Sequence, residues 1–195
     1  ATLAENRWGK AAGLTLLFPA HWDLDKLSEG SNVYFYPQQW GKVIDHAESA
    51  EGGLTTVAQS ADGLLTLLTN GKFQGNSSEQ GEMIAQKSFA LIPLLHTAQR
   101  DTALVIGYGT GMTPRVIHEN EFRSLDIAEL SEDMVRLADR HFENINHAVT
   151  SQPGVNTYYT DGRNFLLTQS REYDLISIEI SSIWFAGAAN LYNKE

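Results

Sequence analysis

Between residues 102 and 178, short apolar runs alternate with amphipathic stretches, and that alternation constrains the fold more than any other feature. Ala103–Ile106, Ser124–Glu129, Thr157–Thr160 and Asp174–Ile178 read as strands. A helix is expected from Pro114 with Thr113 as its N-cap, since proline fits a first turn, where its missing N–H costs nothing. A second is opened by Ser131, with Glu132 and Asp133 in its first turn, and a short third starts at about Arg163. Strands separated by helices of this length make a parallel sheet covered on both faces, a doubly wound α/β domain. Just upstream, Glu82–Leu95 carries Met83, Ile84, Phe89, Ala90 and Leu91 at helical spacing.

The preceding stretch has a different rhythm. Val33–Tyr36, Leu54–Gln59 and Leu64–Thr69 read as strands, with Asp62-Gly63 as a hairpin turn and Asn70-Gly71 ending the third. A small antiparallel sheet follows. The expected organisation is a poorly patterned segment at 1–30, where Trp8, Pro19 and Trp22 keep no clear period, a small β-sheet domain at 31–80, and a Rossmann-like nucleoside-binding domain at 81–195. That last domain reads as truncated, because a complete sheet needs strands after Asp174–Ile178, and the open edge makes a homodimer an expectation.

Composition narrows the function classes. With 195 residues, 42% apolar and 19% charged, the chain suits a packed globule, and no apolar run approaches the roughly 18 residues of a membrane span. The absence of cysteine excludes disulfides and thiolate catalysis. The six histidines show neither HxH nor HExxH spacing, no metal site is expected, and no GxSxG supports a hydrolase. Asp23-Leu24-Asp25 reads as a solvated turn. Fourteen basic against 24 acidic residues, a net charge of −10, argue against nucleic acid and favour both solubility and a cationic small-molecule ligand.

Ligands in doubly wound sheets sit beyond the carboxyl ends of the strands, near the point where strand order reverses. After the first strand stands Gly107-Tyr108-Gly109-Thr110-Gly111, a GxGxG turn. Glu129, 22 residues beyond Gly107, lies at the distance from which an acid accepts from both ribose hydroxyls. Asp161-Gly162 follows the third strand, where a carboxylate can accept from an exocyclic amino group, cap the next helix, or do both. No GxxxxGK[ST] loop offers a phosphate site, and Met112 or Thr113 stands where a dinucleotide binder has its third glycine. An unphosphorylated adenosine such as S-adenosylmethionine therefore fits better than a nicotinamide cofactor.

In order along the chain, GYGTGMT, IAEL, TDGRNFL and YDLISIEISSIWFAGAANLY resemble the spermidine/spermine synthase (polyamine aminopropyltransferase) family, and its divergent transporter-fused branch in particular. NGKFQGNSSEQGEMIAQ resembles the stretch by which that family leads into its nucleoside site, so the resemblance runs over about residues 33–195. It implies an N-terminal β-sheet domain before a methyltransferase-like Rossmann domain, decarboxylated S-adenosylmethionine as substrate, methylthioadenosine as product and a polyamine acceptor. By position it implies Gln74 on the methionine-derived arm, Glu129 on the ribose, Asp161 with Gly162 on the adenine, and Gly107, Gly109, Thr110 and Gly111 around the nucleoside. It also implies a dimer in the cytoplasm, or the cytoplasmic part of a membrane protein.

The chain departs from the family at chemically important positions. Thr110 stands where members have an aspartate that binds the aminopropyl ammonium, and Gln80 stands for a tyrosine. The family's D-S-S-D-P becomes Glu179-Ile180-Ser181-Ser182-Ile183, which keeps one carboxylate at Glu179 and loses the other at Ser182. Losing a buried charged contact to a cation costs about 2–5 kcal/mol, so two losses count against efficient transfer to putrescine. Glu179 is the expected base or amine-orienting group, and Ser181–Tyr192 the expected gate. Two alternatives stay open: a methyltransferase using intact S-adenosylmethionine, whose carboxylate an acid at position 110 would repel, and a non-catalytic nucleoside-binding module of a larger membrane protein.

Overall fold

A computed structural model describes residues 23–50 and 52–179. The described chain opens with two short helices, α1 (Leu24–Ser28) and α2 (Ser31–Tyr34), and then four strands, β1 (Lys42–Ser49), β2 (Gly53–Gln59), β3 (Leu65–Thr69) and β4 (Lys72–Asn76). These four form an antiparallel sheet in chain order. The β3–β4 connection is a two-residue turn whose Asn70 (φ 51°) and Gly71 (φ 75°) are both left-handed. Such a turn matches the twist of the strands it joins. Asn70 Oδ1 also accepts from the Leu54 amide at 2.9 Å, which ties the turn to β2.

The remaining elements are α3 (Glu82–Leu94), β5 (Thr102–Ile106), α4 (Met112–Glu119), β6 (Ser124–Glu129), α5 (Glu132–His141), α6 (Glu143–Asn146), a 3-10 turn (Val149–Ser151), β7 (Val155–Tyr159), α7 (Gly162–Thr168) and β8 (Leu175–Ile178). Strands β5 to β8 form a parallel sheet in the order β7-β6-β5-β8. One face carries Ala103, Val105, Leu125 and Ile127 against Met112, Ile117, Val135 and Leu137. The other carries Leu104, Ile106 and Ala128 against Phe165 of α7. Ala47, Val57 and Leu67 of the antiparallel sheet belong to the first of these cores, so both sheets share buried apolar side chains. This is the expected mixed α/β fold, methyltransferase-like in its parallel sheet.

Three local expectations need correction. Val33–Tyr36 is not a strand, because α2 ends there between the left-handed residues Gly30 and Phe35. Tertiary contacts override the β-prone composition: Tyr34 Oη accepts from the Phe73 amide at 3.0 Å, and Trp40 stacks on Phe73 at 5.7 Å. Thr113 is not an N-cap, since α4 begins at Met112 with Gly111 (φ 84°) before it, and the Thr113 hydroxyl donates to the Gln86 carbonyl at 2.8 Å. Strand β1 was not foreseen. Its half-buried Asp45 stands where an alternating strand would carry an apolar residue, and its register shifts between Val43 and Asp45. Asp23 also does more than line a turn, accepting from the Lys26 amide as the N-cap of α1. Among the described residues, no helix is long and apolar enough to cross a membrane.

Candidate functional site

The strand order reverses between β5 and β8, so the crevice beyond these two neighbours is the switch point of the sheet. The loop leaving β5 is Gly107–Gly111, and one residue beyond β8 stands Glu179, whose amide donates to the Ile106 carbonyl at 3.0 Å. Gly109 (φ 54°) lets the two touch, since a Cβ there would lie 2.7 Å from Glu179 Oε2. The same imagined Cβ would lie 3.6 Å from the Gln74 carbonyl oxygen, so β4 closes a third side. Tyr108 points beneath the loop, fully buried, its hydroxyl donating to Asp139; burial first, and then that acid, pushes its own ionisation upward. Backbone rather than bulky side chains therefore faces the crevice at Gly107 and Gly109.

Glu129 ends β6 as a buried carboxylate. Its Oε2 accepts from the Tyr108 amide and its Oε1 from the Ser131 amide, both at 2.9 Å. Burial pushes this carboxyl upward, and the two amides oppose that shift. Glu129 thus holds the glycine loop from the neighbouring strand, a scaffold role not foreseen from the sequence. Each carboxylate oxygen keeps a further lone pair for a ligand. Asp161 follows at the next strand end, where the adjoining Thr160 amide donates to the Glu129 carbonyl at 3.0 Å. Its carboxylate caps α7 by accepting from the Asn164 amide at 2.9 Å while remaining exposed. A Cβ on Gly162 would lie 2.3 Å from Ile106 Cγ2, so α7 rests directly on β5.

Thr110 is fully buried and donates its hydroxyl to Gln86 Oε1 of α3. Gln86 in turn reaches Glu82 Oε1 from Nε2 at 3.4 Å. Neither Glu82 nor Gln86 was singled out from sequence. The stretch NGKFQGNSSEQGEMIAQ contains both, but the i, i+4 spacing of 82 and 86 reads equally well as an ordinary helix face. Glu179 is a strongly perturbed acid in this crevice. Burial pushes it up to about 8, Thr113 opposes, and the charges of Glu129 and Glu82 add to the rise. Its Oε1 is out of solvent contact with no hydrogen-bond partner. The crevice therefore gathers Gln74, Gly107, Gly109, Glu179, Glu82 and Gln86, with Glu129 and Asp161 along the adjacent strand ends. Ser181–Tyr192, including Ser182, lie outside the described residues. Among the described residues, no group of three or more His, Cys, Asp or Glu side chains could hold a metal ion.

No family model matches the chain. Among curated proteins it is 29% identical over 119 residues to a polyamine aminopropyltransferase of Alkaliphilus oremlandii, a match spanning 60% of this chain and 41% of that protein. A polyamine aminopropyltransferase of Methanocaldococcus jannaschii is 26% identical over 130 residues, spanning 66% of this chain and 43% of the relative. In sequence the chain is similar to polyamine aminopropyltransferases. It matches less than half the length of these family members. The fold agrees. Spermidine synthase from Thermotoga maritima superposes with a TM-score of 0.62 at 18% identity over 70% of this chain and 46% of that one. A spermidine synthase in complex with the transition state analogue AdoDATO gives 0.67 at 19% identity over 78% and 51%.

Proposed function

We propose that the chain carries the nucleoside site of a spermidine synthase-like aminopropyltransferase, which moves an aminopropyl group from decarboxylated S-adenosylmethionine to a polyamine amine. One observation carries the reading: half-buried Glu179, with its Oε1 out of solvent contact and unpartnered, stands at the switch point against Gly109. An acid held up to about 8 has the proton affinity of a base working near neutral pH. It also offers a cation a partner that water cannot match in that position. In the proposed step the amine nitrogen forms a bond to the aminopropyl carbon as the carbon–sulfur bond breaks. Sulfur keeps that electron pair and leaves as the neutral thioether of methylthioadenosine, and the amine proton passes to Glu179. The sulfonium is already a good leaving group, so orientation and proton removal are the protein's contribution. In this reading Glu129 holds the ribose, Asp161 with Gly162 meets the adenine, and Gln74 lies along the methionine-derived arm. The reading extends to a homodimer, which sedimentation would test.

A second reading rests on Thr110. Its hydroxyl is neutral and engaged with Gln86, so the glycine loop presents no acid of its own to repel a ligand carboxylate. Intact S-adenosylmethionine, and with it methyl transfer, is the corresponding reaction. Calorimetric titration with S-adenosylmethionine, its decarboxylated form and methylthioadenosine separates the two. Preference for the decarboxylated form, with methylthioadenosine released when a polyamine is added, supports the first. Preference for the intact cofactor supports the second, and silence to all three ligands removes both.

A further inference from the structure

The contacts around Gln86 fix more than one side chain. Gln86 is 2% exposed, accepts from the Thr110 hydroxyl on Oε1, and turns Nε2 toward Glu82 Oε1 at 3.4 Å. A carboxylate only accepts, so the amide can face Glu82 only with its nitrogen. That nitrogen fits between two glycines: a Cβ on Gly75 would lie 2.7 Å from it and one on Gly109 3.3 Å. The Gly109 position is also the point 2.7 Å from Glu179 Oε2, so Gln86 and Glu179 border the same space. Among the ion pairs of the described residues, none involves Glu82, Glu129 or Glu179. An acid in a first helical turn is ordinarily a solvated partner of the helix dipole. Glu82 differs in being only partly exposed and bonded inward by Gln86.

We propose that Glu82 is the second substrate-facing carboxylate of this crevice, held there by Gln86, and that it supplies to a cationic amine the negative charge that Thr110 cannot. Glu82 then belongs to the binding machinery, while Gln86 is a positioning residue acting through it. The inference deepens the aminopropyltransferase reading and rests on it for the identity of the amine as a polyamine. The raised proton affinity of both acids agrees with two carboxyls sharing a poorly solvated space: burial pushes Glu82 upward with Gln86 opposing, and Glu82 adds to the rise at Glu179.

Two measurements test it, one without any ligand. In carbon-13 carboxyl titrations of the glutamate-labelled protein, Glu82→Gln lowers the apparent pKa of Glu179, and an unchanged Glu179 overturns the proposal. In calorimetry, spermidine alone and methylthioadenosine alone are titrated separately. Glu82→Gln weakens spermidine by about tenfold or more while methylthioadenosine changes by less than about twofold. Gln86→Leu, which keeps the acid and releases its anchor, lowers spermidine affinity less, and Glu82→Asp recovers part of the loss. Equal loss of both ligands makes Glu82 merely structural and overturns the proposal, as does a native protein that ignores spermidine. Loss of the methylthioadenosine signal in the native protein, with the spermidine arm intact, removes the nucleoside reading and leaves the Glu82 assignment standing. Should Glu82→Gln fail to fold, Gln86→Leu and Glu82→Asp carry the test, and spermidine affinity unchanged in both overturns it.

Discussion

Gly109 and Glu179 meet with no space for a side chain between them, 2.7 Å separating an imagined Cβ from Oε2. Gly109→Ala therefore meets two penalties. A left-handed alanine costs about 1–2 kcal/mol, and the Glu179 carboxylate must also move. The expected result is a loss of about 1–3 kcal/mol in urea denaturation, together with loss of nucleoside affinity. Gly63→Ala is the control: its φ is 88°, and a Cβ there meets nothing within 4 Å. It should show the backbone cost alone and leave binding intact. Equal effects at both positions would remove the weight placed on the Gly109–Glu179 contact.

Glu179 also makes stability depend on pH, with a definite sign. Burial, with the neighbouring Glu129 and Glu82 adding to it, raises its folded pKa from 4.5 to about 8. Between those values the folded protein holds a proton that the unfolded chain has released, so stability falls as pH rises, by at most about 1.4 kcal/mol per unit from this group. Glu179→Gln removes that slope. Chemical denaturation of both proteins at pH 5, 6.5 and 8 should show the native protein losing ground to the variant as pH increases. A parallel pair of curves refutes the assignment. Binding of a cation should run the other way, tightening as pH rises toward about 8 and releasing a proton measurable in buffers of different ionisation enthalpy.

Glu129 was expected to serve a ribose, and the structure gives it a prior duty to two amides, those of Tyr108 and Ser131. Glu129→Gln turns one acceptor into an NH₂ group facing an N–H donor. That leaves a buried donor unpaired and should cost about 1–3 kcal/mol of stability even with no ligand present. Glu129→Asp keeps the charge and shortens the reach, so it should disturb the loop as well. Thermal melts of ligand-free protein decide this. If Glu129→Gln is as stable as the native chain and weakens only nucleoside binding, Glu129 acts on the ligand alone.

The parallel sheet was legible because its strands are continuous apolar runs and its punctuation is local: Ser131 caps α5, Asp161 caps α7, and Asp62-Gly63 turns β2 into β3. Each signal acts within a few residues, where sequence distance and spatial distance agree. The features without a local signal depend on distant partners. Strand β1 hides behind Asp45, whose partners on α5 are 95 and 96 residues away. The buried Asp126 accepts from Arg171 and Tyr173, both at 2.8 Å, far along the chain. The glycine loop, Glu129 and Glu179 were readable as strand-end residues. The Thr110–Gln86–Glu82 chain was not, because nothing local distinguishes a glutamine turned inward from one on a solvated helix face.

Asp45 supplies the last test, of how the antiparallel sheet is fastened to the rest of the molecule. Its Oδ2 lies 2.8 Å from both Arg140 Nη1 and His141 Nε2 at the end of α5, and its side chain is 23% exposed. Burial alone would raise this carboxyl, but hydrogen bonds from His141 and Arg140 outweigh it and lower the pKa from 3.8 to about 2. The folded-state pKa is depressed, so the stabilisation is present above about 4 and is lost as pH falls toward about 2. Linkage limits the contribution to about 2 kcal/mol, with partial exposure and salt reducing it further. Asp45→Asn should accordingly be less stable than the native chain at pH 7 by about 1–2 kcal/mol. The two should converge on acidification, because only the native chain loses this interaction. Urea denaturation at pH 7, 4 and 2.5 reads the difference, and other titrating groups common to both proteins cancel. A gap at pH 2.5 as large as that at pH 7 would mean that packing of Asp45, rather than its charge, joins β1 to α5.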